Sequence, residues 1–238
     1  MSGILTVVDA HKRFGGIHAV RGVSLALNSG ELLGLFGPNG AGKTTLFNMI
    51  AGLYPPTSGR IELASRDVTR EPAFRRARAG IGRTFQVCRP FRGLTVAENV
   101  LAAIPPGSGV GDDRARAREI LDAVGLLPKA EDAAGSLTLG MLKRLEVARA
   151  LALEPKLLLL DEPLAGLTAS ETSDLLGFIQ GLKARASIIL VDHNVRQSLG
   201  VCDRAIVMDA GAVIASGSPD TIRRDPGVRR AYLGESAA

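Results

Sequence analysis

Apolar residues in this chain fall in short, dense runs broken by glycine, proline and serine. Residues 4–8 and 17–27 are rich in Val, Ile and Leu, and the pattern predicts strands separated by a turn at Gly15 and Gly16. Asn28-Ser29-Gly30 is a further turn. The unbroken apolar run at 32–36 then has the character of a buried parallel strand. A glycine-rich loop follows, and after it a helix from about 42 to 51 that Gly52 ends. A loop at 55–59 leads to another short strand at 61–63. From about 92 to 153 the pattern turns helical, at 96–103, 113–124 and 141–153, with Pro105-Pro106-Gly107-Ser108-Gly109 as a linker between the first two. Strand and helix then alternate again. A buried strand at 157–160 ends in Asp161-Glu162, a helix at 170–183 takes Ser170 as its N-cap, and a strand at 187–191 ends at Asp192-His193. Residues 205–208 and 212–215 flank Asp209-Ala210-Gly211 as a hairpin, and 235–238 reads as a frayed end. The prediction is an α/β fold with a helical block inserted in it.

Composition narrows the function. The 238 residues are 46% hydrophobic and 22% charged, ordinary for a globular chain long enough for an ample core. Aromatics are 4% and Trp is absent, which makes a poor stacking platform for bases or sugars. No apolar run approaches the roughly 20 residues of a membrane span, and no secretory signal pattern opens the chain. Cys88 and Cys202 form no CxxC, in keeping with a reduced, cytosolic setting. The net charge of +5 suits an acidic partner such as nucleic acid, a nucleotide or anionic headgroups. Much of it is crowded between Arg60 and Arg92, which reads as a solvated arginine-rich surface or one facing a membrane partner.

Two motifs carry chemistry. Gly37-Pro38-Asn39-Gly40-Ala41-Gly42-Lys43-Thr44 fits GxxxxGK[ST] at every position, between a predicted strand and a predicted helix, with Thr45 following. Its glycines let backbone N–H groups turn inward, and with the helix N-terminus these make an anion site. Lys43 supplies a point charge to the β- and γ-phosphates, and the Thr44 hydroxyl is a ligand for Mg²⁺. The chain is therefore expected to bind a nucleoside triphosphate. Asp161 and Glu162 end a second buried strand, and ligands of such sheets sit at strand carboxyl ends. There Asp161 suits Mg²⁺, and Glu162 suits a general base polarising water toward the γ-phosphate. His193 ends the next strand, where it is either a surface residue or a donor to the γ-phosphate. Asp192-His193 lacks the nucleophile elbow of a hydrolase triad.

Together these residues resemble the ATP-binding subunit of ABC transporters, along essentially the whole chain. The resemblance implies a P-loop NTPase (RecA-like) core with an N-terminal antiparallel β subdomain over 1–91 and 154–238, and an inserted α-helical signature subdomain over 92–153. It makes Phe14 the aromatic residue that stacks on adenine. Gln86, in Gly82-Arg83-Thr84-Phe85-Gln86, becomes the glutamine that ligates Mg²⁺ and senses the membrane subunit. Leu137-Thr138-Leu139-Gly140-Met141 takes the place of the LSGGQ signature, which binds the ATP of a partner subunit, and 165–168 that of the dimer-crossing loop. Glu162 becomes the catalytic glutamate and His193 the switch histidine, with ATP and Mg²⁺ the implied ligands. Two positions depart from the pattern: Met141 replaces Gln and loses a polar contact, and Thr168 stands where Asp or Asn is usual.

Ile81-Gly82-Arg83-Thr84-Phe85-Gln86, 94–100, 143–149 and the tail 230–235 are similar to branched-chain amino acid importers; urea, amide and some lipid-handling relatives share parts of them. The implied partners are transmembrane permease subunits, a second ABC ATPase subunit as a homodimer or an unequal heterodimer, and, indirectly, a periplasmic or extracellular solute-binding protein. The implied location is the cytoplasmic face of the cell membrane. The segment 87–101 is expected to pass motion to the permease, its Arg residues pairing with acids there, and Arg83→Glu is expected to uncouple transport more than it lowers ATP affinity. An ATPase acting on nucleic acid fits less well, because the coiled-coil insertions or second ATPase domain usual in such chains are missing; no nucleic acid partner is expected. A metabolite kinase has no use for 137–141.

Overall fold

The computed structural model describes residues 3–105, 112–193 and 195–233. Most of the 105–109 linker, and the tail 235–238, lie outside the described residues. The chain opens with strands β1 (Gly3–Phe14), β2 (Ile17–Asn28) and β3 (Leu32–Phe36), then helix α1 (Lys43–Ala51). Next come β4 (Ser58–Leu63), β5 (Arg66–Asp67), α2 (Ala73–Arg78) and β6 (Ile81–Arg83). Three helices follow, α3 (Val96–Leu101), α4 (Asp113–Ala123) and α5 (Leu139–Leu151). The last part runs β7 (Leu157–Asp161), α6 (Ala169–Gly181), β8 (Ser187–Val191), α7 (Val195–Ser198), β9 (Arg204–Asp209), β10 (Ala212–Gly217), α8 (Pro219–Arg224) and α9 (Pro226–Leu233).

The strands make two sheets. One is antiparallel, in the order β2-β1-β4-β5. The other has the order β10-β9-β3-β8-β7-β6 and is parallel except for the β9–β10 hairpin. Every residue of β3, β7 and β8 is buried, because this sheet is covered on both faces. Alternate residues serve the two faces. Leu33, Leu35, Leu157, Leu159 and Ile189 pack with α1 and the antiparallel sheet. Leu32, Phe36, Leu158, Leu160 and Ile188 join a core that runs on into α3, α4 and α5. The helical block thus shares its core with the sheet.

Three differences from the sequence reading have local causes. Helix α6 starts at Ala169 and is capped by Thr168, not Ser170: the Thr168 hydroxyl accepts the Glu171 amide while the Glu171 carboxylate accepts the Thr168 amide, a closed capping box. Helix α5 starts at Leu139, two residues early, because the Thr138 hydroxyl caps it. The arginine-rich stretch carries β5, α2 and β6, which no apolar periodicity announces, and it is not all solvated surface. Arg76 is fully buried. Its guanidinium donates to the carbonyls of Met49, Ile50, Thr69 and Glu71, so it closes the C-terminal end of α1. Burial pulls it down to about 10.

Candidate functional site

The loop 37–42 leaves the buried end of β3 and turns sharply into α1. Two of its glycines are obligatory. Gly37 has φ 145°, and a Cβ there would lie 2.1 Å from the Met208 carbonyl oxygen; Gly42 has φ 95°, and its Cβ would lie 2.4 Å from that of Ala19. Gly42 also begins α1 without any side-chain cap. The helix therefore presents backbone N–H groups and its positive end to the cleft in front of it, as an anion site requires.

That cleft is about 330 Å³ and is lined by residues 39–45, by Ile17, His18, Ala19 and Arg21 of β2, by Glu162, and by the turn at Ala210 and Gly211. Lys43 is buried, and its Nζ donates to the carbonyls of Gly37 (2.7 Å) and Pro38 (2.9 Å). Burial pulls its ammonium below the usual lysine range, while the carboxylates of Glu162 and Asp192 oppose that shift.

Glu162 is the hub of the carboxylate side. Its Oε2 accepts a hydrogen bond from Gln86 Nε2 at 2.8 Å, and His193 Nδ1 lies 3.8 Å from the same oxygen. Its backbone is left-handed, with φ 45°, a conformation that costs a non-glycine residue free energy and that clusters at functional sites. Its N–H donates to the Val191 carbonyl, tying the turn to the end of β8. Gln86, Glu162 and His193, far apart in sequence, thus converge.

Other expected residues sit elsewhere. Asp161 is buried and lines the neighbouring groove with Gln86 rather than the cleft that holds Thr44 and Glu162. Burial raises its carboxyl above the usual range, and Arg83, with Nη2 at 3.7 Å, opposes the rise. Arg83 also donates to Asn48 Oδ1 at 3.0 Å and stacks near the rings of Phe47 and Phe85. It is thus engaged inside the protein. Phe14 is not among the cleft-lining residues: it meets Tyr54 edge-on at 5.3 Å between ring centroids. The signature residues Leu137 to Met141 do not line this cleft either. Thr138 caps α5, Leu139 is exposed, and a Cβ on Gly166 would lie 2.9 Å from Leu139 Cδ2, so the loop before α6 packs against the signature.

Sequence reasoning missed one residue at this centre. Lys143, on α5, is buried, and its Nζ donates to the carbonyls of Gln86 (3.2 Å) and Glu162 (3.3 Å). Its only signal was a charge among the apolar positions of a helix.

The donor set fits a magnesium ion. Thr44, Asp161 and Gln86 each carry an oxygen of the kind a hard cation takes, and Gln86 uses its amide nitrogen on Glu162, leaving its oxygen, with Asp161 and Gln86 in the groove beside the cleft that Thr44 lines.

Comparison with known proteins agrees with this geometry. The ABC transporter family pattern matches residues 20–165, and that of the branched-chain amino acid ATP-binding cassette transporter matches 212–238. The high-affinity branched-chain amino acid transport ATP-binding protein LivG of Salmonella typhimurium is 41% identical, over 98% of this chain and 98% of its own. The lipopolysaccharide export system ATP-binding protein LptB of Haemophilus influenzae is 40% identical, again over 98% of each chain. Among solved structures, the ADP conformation of the ATP-binding cassette MJ1267 superposes with a TM-score of 0.91 at 31% identity, over 99% of this chain and 100% of that one. Matches this long, in sequence and in fold, make the chain a member of the ABC transporter family, an ATPase subunit of a transporter.

Proposed function

We propose that this chain energises an importer of branched-chain amino acids or closely related small solutes. The observation that carries the solute class is the tail: residues 212–238 match the branched-chain pattern, in a chain 41% identical to LivG. LptB, at 40%, supports a second reading, lipopolysaccharide export.

In the proposed cycle the triphosphate lies on the loop 37–42 and the N-terminus of α1. Lys43 exchanges its two carbonyl partners for phosphate oxygens. Glu162 takes the proton of the attacking water. Gln86 and His193, both directed at Glu162 Oε2, fix where that carboxylate sits. Thr44, Asp161 and Gln86 would hold Mg²⁺, which when bound neutralises charge building on the phosphates. Phe14, exposed beside Tyr54, is left to meet the base.

The signature residues are not among those that line the cleft of their own chain, which supports the nucleotide of a second ATPase subunit as their ligand. ATP then favours the closed pair, because only closure brings both contacts to one nucleotide. Phe85, Val87 and Phe91 are exposed around Gln86 and offer permease subunits an apolar docking face. No helix among the described residues is long and apolar enough to cross a membrane, so attachment to the cytoplasmic face runs through those subunits. A solute-binding protein acts on the far side of the permease.

Removing this chain from its cell tests the reading. Uptake of labelled leucine, isoleucine and valine should fall by about fivefold or more at limiting solute, where transport follows the motor. Unchanged uptake with lipopolysaccharide lost from the cell surface would favour export instead.

A further inference from the structure

Three charged residues of α5, at positions 143, 146 and 149, recur every third residue and share a helix face. All three engage the backbone of the segment that follows Gln86. Lys143 Nζ donates to the Gln86 carbonyl at 3.2 Å. Glu146 Oε1 accepts the Arg89 amide at 3.3 Å. Arg149 Nη1 donates to the Arg89 carbonyl at 2.9 Å and to Glu146 Oε1 at 2.8 Å. A stripe that binds main chain holds a loop whatever side chains the loop carries. Lys143 adds something its neighbours do not: its second bond, 3.3 Å to the Glu162 carbonyl, crosses to the turn at the end of β7.

Lys143 is 5% exposed, and burying an ammonium costs several kcal/mol unless its donors are met. Leucine or methionine would fill the position without that cost. The charge is met by bonds to two loops, which also touch through the Gln86–Glu162 side-chain contact at 2.8 Å, and by the Asp161 carboxylate nearby.

We infer that Lys143 is a positioning residue: it locks the Gln86 loop to the Glu162 turn and so makes the geometry of that pair follow the helix that carries the signature. This rests on Glu162 being the base proposed above. Movement of α5, whether driven by a partner's nucleotide at Thr138 to Met141 or by a permease at Phe85 and Phe91, then reaches both carbonyls through one ammonium. Nucleotide affinity is set elsewhere, at 37–45.

The test compares the full chain carrying Lys143→Met, which keeps the volume and removes the donors, with Lys143→Arg, which restores donors. In nucleotide-free protein, hydrogen exchange should rise about fivefold or more at 84–89 and 162–166 in Lys143→Met, while 139–151 keeps its protection. With Mg-ATP, kcat should fall about tenfold or more with KM moved less than about threefold, and Lys143→Arg should recover most of the loss. If Lys143→Met does not fold, Lys143→Gln, which removes the charge and keeps an N–H₂ donor on a shorter side chain, is read in the same two assays. Unchanged exchange in both loops, exchange that rises equally along α5, or a KM loss without a kcat loss would overturn the inference. Phosphate release by Glu162→Gln equal to that of wild type refutes the reading of Glu162, and the exchange pattern then decides the role of Lys143 alone.

Discussion

Arg83 spends its guanidinium inside the protein, on Asp161, on Asn48 and between two phenyl rings. A carboxylate in its place would face Asp161 across a few ångströms in a half-buried groove. Like charges there raise the Asp161 carboxyl further, beyond the rise burial already causes. Activity that needs the Asp161 carboxylate is lost as pH falls through that raised value, so the acidic limb of the kcat/KM profile should move to higher pH in Arg83→Glu. ATP affinity and transport should fall together, each by about tenfold or more. Intact hydrolysis with transport lost would restore the coupling role that the sequence suggests. The contrast with Glu162 is instructive. Residue type and spacing make Glu162 and Lys43 legible, because phosphate chemistry admits few alternatives at those positions. Arg76, Arg83 and Lys143 are not legible, because a long side chain reaches in a direction that no linear pattern encodes.

Among elements, the starts of α5 and α6 show what a cap does. Thr138 and Thr168 both accept an amide from three residues on, and each sets its helix start ahead of the predicted one. Threonine at 168, where Asp or Asn is usual in the family, keeps the oxygen that caps the helix. Thr168→Ala should therefore cost about 1 kcal/mol. That corresponds to a melting shift of about 2–4 °C for a chain this size. Thr168→Asn should stay within about half a kcal/mol. Thermal unfolding read by circular dichroism checks both, and a Thr168→Asn loss as large as that of alanine would count against the cap. The strands β3, β7 and β8 were legible because a sheet covered on both faces demands continuous apolar runs. Strand β6 and helix α2 were not, since three residues with a central glycine, and six residues with three arginines, carry no period to read.

At the scale of the molecule, the parallel sheet sends the ends of β3, β7 and β8 to one side, and the phosphate loop, Glu162 and His193 follow from that. Helix α5 crosses from the signature to the Glu162 turn, joining the helical block to the site. The cleft, about 330 Å³, is at the small end for ligand sites (about 300–1,000 Å³). In the proposed mechanism Glu162, held by Gln86, activates the water that attacks bound ATP. The most direct measurement is phosphate release by wild type and Glu162→Gln, each with Mg-ATP bound to the same extent. Glutamine keeps the shape and cannot take the proton, so release should fall by about 100-fold or more while ATP stays bound. Equal release by the two proteins would contradict the account.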